Sequence, residues 1–167
     1  MKLVINNIAL LIGAAFVLNS CTKQETNPIA DVRPEIPVSI TNAKDYRPDP
    51  TVTTSISAGG VIQIDLSIPA ESGRTIKEIT KIATATSYTK IQGSSTTGLY
   101  VATPVSINAT AYSFKTSVTE YFSKNPVTGS NPAAKAGNEL GLRFYFLVTL
   151  DDGSKLVTMP VRVFVLA

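Results

Sequence analysis

The stretch "LRFYFLVTLDDGSKLVTMPVRVFVL", residues 142–166, decides the fold. Apolar side chains occupy every second position in its first half and again near its end, which is the period of a β-strand with one buried face. These positions are Leu142, Phe144, Phe146, Val148 and Leu150, followed by Leu156, Val161, Val163 and Val165. Between the two runs, Asp152-Gly153 is a common hairpin turn dipeptide. The stretch therefore predicts a β-hairpin.

Pro160 interrupts the returning strand of this hairpin. Proline has no backbone N–H, so it is found in edge strands or at bulges, and we expect the pairing to resume at Val161. An exposed edge can accept a strand from another protein. Val161, Arg162 and Val163 are therefore our predicted partner edge.

Alternation with the same period recurs in earlier segments, and turn residues separate them. The predicted strands are 51–57, 61–68, 79–87, 98–102, 111–118, 140–150 and 155–166. Thr75 and Glu78 also have the spacing of a capping box, which allows a short helical turn before the third strand. About seven strands without a long helix predict an all-β fold, a single antiparallel sandwich of immunoglobulin or fibronectin type over residues 51–167. A small closed sheet of lipocalin type is the alternative.

The composition excludes several classes of chemistry. The 167 residues contain no histidine and a single cysteine, so no catalytic triad based on histidine and no thiolate metal cluster can form. The formal net charge of +3 comes from 15 basic and 12 acidic residues, and the basic residues are scattered. Nucleic-acid binding needs them gathered on one face, so we do not expect a nucleic-acid partner.

The single cysteine, Cys21, follows an apolar run that begins after Lys2. Residues 1–20 have the size and flanks of a secretory signal peptide and are too short in apolar length for a membrane span. Leu18-Asn19-Ser20 before Cys21 resembles the lipobox of bacterial lipoproteins, although Asn19 departs from the usual small residue. The resemblance implies that Cys21 carries acyl chains and becomes the first residue of the mature protein. Two or more chains give stable membrane anchoring.

The residues after Cys21 add two further resemblances. Thr22, in place of aspartate, is similar to the pattern of lipoproteins delivered to the outer membrane, which implies a lipid-anchored protein on its periplasmic or outer face. Lys23-Gln24-Glu25 loosely resembles the surface-export tag of Bacteroidota lipoproteins.

Residues 21–50 hold five of the ten prolines and few large apolar side chains. Proline fixes the backbone in extended conformations, so this segment is predicted to be a semi-rigid linker. A short strand over residues 36–41 is possible, because apolar and other residues alternate there.

The sequence offers few candidate binding residues. Tyr88 and Tyr100 lie near turn-rich segments and could stack on a sugar or anchor a protein. The glutamates are isolated, and Asp151-Asp152-Gly153 lacks the ligand pattern of a calcium loop and fits a hairpin turn. We therefore predict no catalytic residue, no metal site and no cofactor.

These observations favour a noncatalytic, lipid-anchored cell-envelope protein that binds another protein or has a structural role. The alternative is an accessory glycan-binding lipoprotein of an outer-membrane uptake system. A glycan-binding surface would expose aromatic rings beside Asn, Asp or Arg, whereas a protein-binding surface would expose a sheet face or edge.

Overall fold

The computed structural model of the chain describes residues 34–167. The strands are β1 (Ser39–Ile40), β2 (Thr51–Ser55), β3 (Val61–Ser67), β4 (Ile76–Ala85), β5 (Val105–Ala109), β6 (Ala111–Ser117), β7 (Arg143–Leu150), β8 (Lys155–Val157) and β9 (Arg162–Leu166). Two short helices, α1 (Thr89–Gln92) and α2 (Val118–Lys124), and one 3-10 turn (Ala70–Ser72) complete the elements. The predicted all-β class is confirmed.

The strands form two layers. The first sheet has the order β1-β3-β6, and all its pairings are antiparallel. The second sheet has the order β5-β4-β7-β8. An isolated β-bridge between Phe144 of β7 and Val161 extends this layer to β9, and β9 pairs with β2. Neither layer closes on itself, so the lipocalin-type alternative does not describe these residues. With β1, β3 and β6 in one layer and the other six strands in the second, the described residues form an all-β sandwich.

The core lies between the two layers. From the first sheet, Ile62, Ile64 and Leu66 are buried, as their alternation predicts. The ring of Phe114 on β6 lies 5.8 Å from that of Phe144 and 5.5 Å from that of Phe146 on β7, measured between centroids. Aromatic contacts of this kind join the two sheets and bury large apolar areas.

The C-terminal hairpin forms as predicted. Val148 of β7 lies opposite Leu156 of β8, and Gly153 in the turn has a φ of +85°, a conformation that glycine adopts without steric cost. The pairing breaks before Pro160 and resumes at Val161, whose N–H donates to the carbonyl of Phe144 at 2.8 Å. Across the break, the Thr158 hydroxyl accepts a hydrogen bond from the N–H of Phe146.

Several details differ from the prediction. Strands β2 and β9 run parallel, with Thr51 opposite Arg162, so the sandwich is not purely antiparallel. Residues 98–102 contribute only a single bridge at Val101, and the strand follows at β5. Residues 75–78 form no helix, because Ile76 is fully buried as the first residue of β4.

The predicted linker also extends too far along the chain. The compact unit begins at Pro34, and β1 pairs with the end of β3, so that Ile40 lies opposite Leu66 and is buried. The possible strand over residues 36–41 therefore exists in shortened form. The first part of the predicted linker and the predicted signal peptide, up to residue 33, lie outside the described residues.

Candidate functional site

The predicted site residues do not form one cluster. Cys21, the proposed acylation site, lies outside the described residues. Tyr88 and Tyr100 occupy different environments, and the β9 segment lies elsewhere in the second layer.

Tyr100 is buried and has a structural role, so its prediction as a binding residue is wrong. Its side chain is 4% exposed, and its ring packs edge-on against Phe144. The Tyr100 hydroxyl is hydrogen-bonded to the hydroxyl of Thr116. Because the Thr116 hydroxyl donates its single proton to the Glu120 carboxylate at 2.9 Å, Tyr100 is the donor in its bond to Thr116. Burial raises the pKa of Tyr100 to about 12. The turn-rich segment around Tyr100 indicated exposure, but α2 covers this position.

Lys124 completes the contacts around Tyr100. Its ammonium donates to the backbone carbonyl of Tyr100 at 3.0 Å, lies 4.4 Å from the centre of the Tyr100 ring and pairs with Glu120 at 2.9 Å. The hydrogen bonds from Lys124 and Thr116 hold the pKa of Glu120 below its ordinary value. These groups satisfy one another and fasten α2 to the sandwich.

Tyr88 lies on the outer surface of the second sheet and remains 39% exposed. Its ring meets that of buried Tyr145 edge-on at 5.0 Å, so the two rings are not coplanar. Arg143 and Asp49 lie beside this pair, with 3.7 Å between the guanidinium and the carboxylate. Burial raises the pKa of Tyr88; Tyr145 and Asp49 add to that shift, and Arg143 opposes it. One exposed aromatic ring beside an arginine and an aspartate is a small polar and aromatic surface that could contact a sugar.

Strand β9 is an internal strand, so the predicted partner edge is wrong. On one side it pairs with β2 over five residues. On the other side, the carbonyl of Val163 accepts from the N–H of Leu140 at 3.0 Å, and Val161 bonds to Phe144. Val161 and Val163 are fully buried, and Arg162 is bound to Glu139 at 2.8 Å. Pro160 fits without an edge position because it falls at the break between β8 and β9.

The free edge lies instead on the first sheet, at β6. This strand pairs with β3 in an unbroken register of seven residues, from Ser67 opposite Ala111 to Val61 opposite Ser117. The N–H of Ile68 donates to Thr110, and the N–H of Val118 donates to Gly60. Because bonded positions alternate along an antiparallel pair, the backbone groups of Ala111, Ser113 and Lys115 point away from β3. No other described strand pairs with that side.

The free edge of β6 is accessible and firmly supported. The side chains of Ala111, Ser113 and Lys115 are exposed, and those of Ala111 and Ser113 are small. Phe114 and Thr116 point inward and are buried. The other strands that end a sheet offer less: β1 has two residues, β8 has three, β5 pairs with a register shift, and β2 is bonded at Thr51 to residues 44–45. Sequence alternation predicted β6, but it carries no information on which strands end a sheet.

The acidic pair in the hairpin turn is engaged by Arg74. Its Nε lies 3.1 Å from Asp151, and the same guanidinium pairs with Asp152. Arg74 and Asp152 line an open cleft of about 360 Å³ together with Glu35, Ile36 and Ser72. Within residues 34–167, no group of three or more acidic residues is arranged to hold a metal ion. The pair therefore joins the hairpin turn to the loop before β4.

A second surface depression, of about 370 Å³, is mainly apolar. It lies between the β2–β3 turn, α2 and the segment at residues 133–134, and its lining includes Ile56, Val118 and Phe122. Because it is assembled from segments far apart in the chain, local patterns could not predict it.

The helices that the structure describes are all too short or too polar to cross a membrane. No family model, no curated protein and no solved structure matches this chain. Residues 34–167 therefore form an all-β sandwich in which the outer side of β6 pairs with no other described strand.

Proposed function

We propose that this chain is a noncatalytic, lipid-anchored protein of the bacterial cell envelope, located at the outer membrane. In this proposal Cys21 carries the acyl chains, and the sandwich binds a protein partner. The support for the anchor is the resemblance of the residues before Cys21 to a lipobox and the apolar run ahead of them.

The observation that carries the binding role is the free edge of β6. Unpaired N–H and C=O groups on a regular strand are a template for a further strand, and main-chain hydrogen bonds then provide affinity. The seven residues of β6 are held in one continuous register by β3, so the edge is preformed. A preformed surface lowers the ordering cost of binding.

Three acidic residues at the sandwich surface have structural partners. Glu120 is held by Thr116 and Lys124, and Asp151 and Asp152 are held by Arg74. Such arrangements fasten secondary-structure elements together. They support a binding role for the domain in preference to a catalytic one.

The experiment is photo-crosslinking in intact cells. A photoreactive amino acid replaces Ser113 on the β6 edge, and matched variants carry it at exposed Lys77 on β4 and at Arg162 on β9. We expect one identified protein to be captured repeatedly from position 113 and not from the other two positions. Capture from position 162 with none from position 113 would contradict the proposal.

The surface around Tyr88 supports the second candidate function, glycan binding. Arg143 and Asp49 could bond sugar hydroxyls beside the exposed ring of Tyr88. Retention of the protein on a glycan array, lost in Tyr88→Ala and kept in Tyr46→Ala, would favour this function. Tyr46 is the matched control because it is a half-exposed tyrosine that is not part of the Tyr88–Tyr145 pair.

A further inference from the structure

We propose that the strand added at the β6 edge comes from a second copy of this chain. The inference rests on the proposed function, since it names the partner of the same edge. The two β6 strands would pair antiparallel about a twofold axis and join two three-stranded sheets into one of six strands.

The direction of the backbone groups limits the possible registers. Ala111, Ser113, Lys115 and Ser117 have their N–H and C=O groups on the side away from β3. In an antiparallel pair these positions must face one another. The register centred on Phe114 satisfies this condition and pairs all seven residues, with Ala111 opposite Ser117 and Ser113 opposite Lys115 of the second copy.

Charge favours the same register. Asp65 on β3 lies beside Ser113 of β6, and Gln63 lies beside Lys115, all with side chains on the outer face of the sheet. In this register Lys115 of one copy faces Ser113 of the second copy, and Asp65 of the second copy lies on the next strand beyond that serine. Because serine is small, the long lysine side chain can extend across it toward that Asp65. The twofold axis produces this attraction twice.

Asp65 and Lys115 are both able to form this ion pair between copies. The Asp65 carboxylate accepts two hydrogen bonds from the Gln63 amide, at 3.0 and 2.9 Å, and pairs with no cation among the described residues. Within the same range, Lys115 forms no ion pair. The contact between copies would therefore not break an ion pair of the described fold.

The neighbouring allowed registers are less favourable. A shift of two residues in one direction places Lys115 against Lys115 of the second copy, which is repulsive. A shift in the other direction places Lys115 against Ala111, whose neighbour on β3 is Ser67, so the lysine meets no carboxylate. Lysine on an edge strand discourages unspecific pairing, and here it would select one register.

The test uses full-length chains with two different tags, expressed together in cells, with the photoreactive amino acid at position 111, which is exposed on the same edge and leaves Ser113 in place opposite Lys115. We expect an adduct that contains both tags. Lys115→Glu or Asp65→Lys alone should lower its yield about tenfold, because two attractions become repulsions. The double variant Lys115→Glu/Asp65→Lys should restore it. Lys77→Glu makes the same charge change away from the edge and should leave the yield unchanged.

The outcomes separate this inference from the proposed function. An adduct from position 111 that contains only a different protein overturns the second copy as partner but supports the edge as a binding site. Absence of any adduct overturns both the second copy as partner and the β6 edge as a binding site. A two-tag adduct that is unaffected by all the charge variants overturns the proposed register. Restoration by the double variant shows that loss in the single variants was not caused by misfolding.

Discussion

The hydroxyl of Tyr121 on α2 donates a 2.7 Å hydrogen bond to the side-chain carbonyl of Asn131, and both residues are buried. The same hydroxyl accepts a 2.9 Å bond from the backbone N–H of Leu142, just before β7. The Asn131 amide in turn donates to the carbonyl of Asn125. One tyrosine thus fastens both the interior and the C-terminal end of the long connection between α2 and β7.

The first prediction concerns this hydroxyl. Tyr121→Phe leaves the buried Asn131 carbonyl and the Leu142 N–H without their partner, so we expect a loss of about 1–3 kcal/mol in the free energy of unfolding. Urea denaturation measures it. Tyr112→Phe is the matched control, because Tyr112 is half-buried and its hydroxyl bonds to no described residue. Equal stability losses in the two variants would contradict the role of Tyr121.

The second prediction concerns a close approach within the same connection. A Cβ added at Gly141 would lie 2.5 Å from the carbonyl oxygen of Ser130 and 2.6 Å from the Cα of Asn131. Because these are backbone atoms, Gly141→Ala should cost about 1–3 kcal/mol or more. Gly129→Ala is the control, since nothing lies within 4 Å of its Cβ. A melting temperature for Gly141→Ala as high as that of Gly129→Ala would show that the connection adapts freely.

The third prediction concerns alkaline pH. Burial raises the pKa of Tyr100 and Tyr121 to about 12 in the folded protein, from an ordinary value of 10. The unfolded chain releases these protons first, so their contribution to stability is complete below pH 10 and is lost as the pH rises to about 12. We expect the urea midpoint to fall over this interval, with a shallower slope in Tyr100→Phe/Tyr121→Phe. Equal slopes would indicate that other groups control alkaline unfolding.

The fourth prediction concerns the anchor. Cys21→Ala removes the only thiol in the chain, so incorporation of a radiolabelled fatty acid should disappear. Ser20→Ala is the control, because it keeps a small residue before the cysteine and should keep the label. Equal labelling of wild type and Cys21→Ala would remove the lipid anchor from the account.

Much of the fold could be predicted because its signals are local. Alternation fixes which side chains of β3, β6 and β7 point inward, and the glycine in the turn fixes the C-terminal hairpin. β1 was only a possible strand, since two residues carry little pattern and its pairing partner at Leu66 is far along the chain. Similarly, the sequence around residues 98–109 shows β propensity but does not indicate where pairing with β4 begins.

The candidate site was harder to predict because edges depend on sheet order. Pro160 indicated an edge, yet the parallel partner of β9 comes from residues more than a hundred positions earlier. Tyr100 was expected at the surface because of its neighbours, but its burial depends on Lys124 and Thr116 from distant elements. The edge at β6 became visible only when the order of the first sheet was known.

Amide hydrogen exchange along β6 tests the central claim most directly. In dilute protein the unpaired N–H groups of Ser113 and Lys115 should exchange fast, whereas those of Phe114 and Thr116, bonded to β3, should be protected. Addition of the partner, which for a second copy means raising the protein concentration, should slow Ser113 and Lys115 by tenfold or more. Protection of all four amides in dilute protein, or fast exchange of Ser113 and Lys115 under every condition, would contradict a free edge that binds a partner strand.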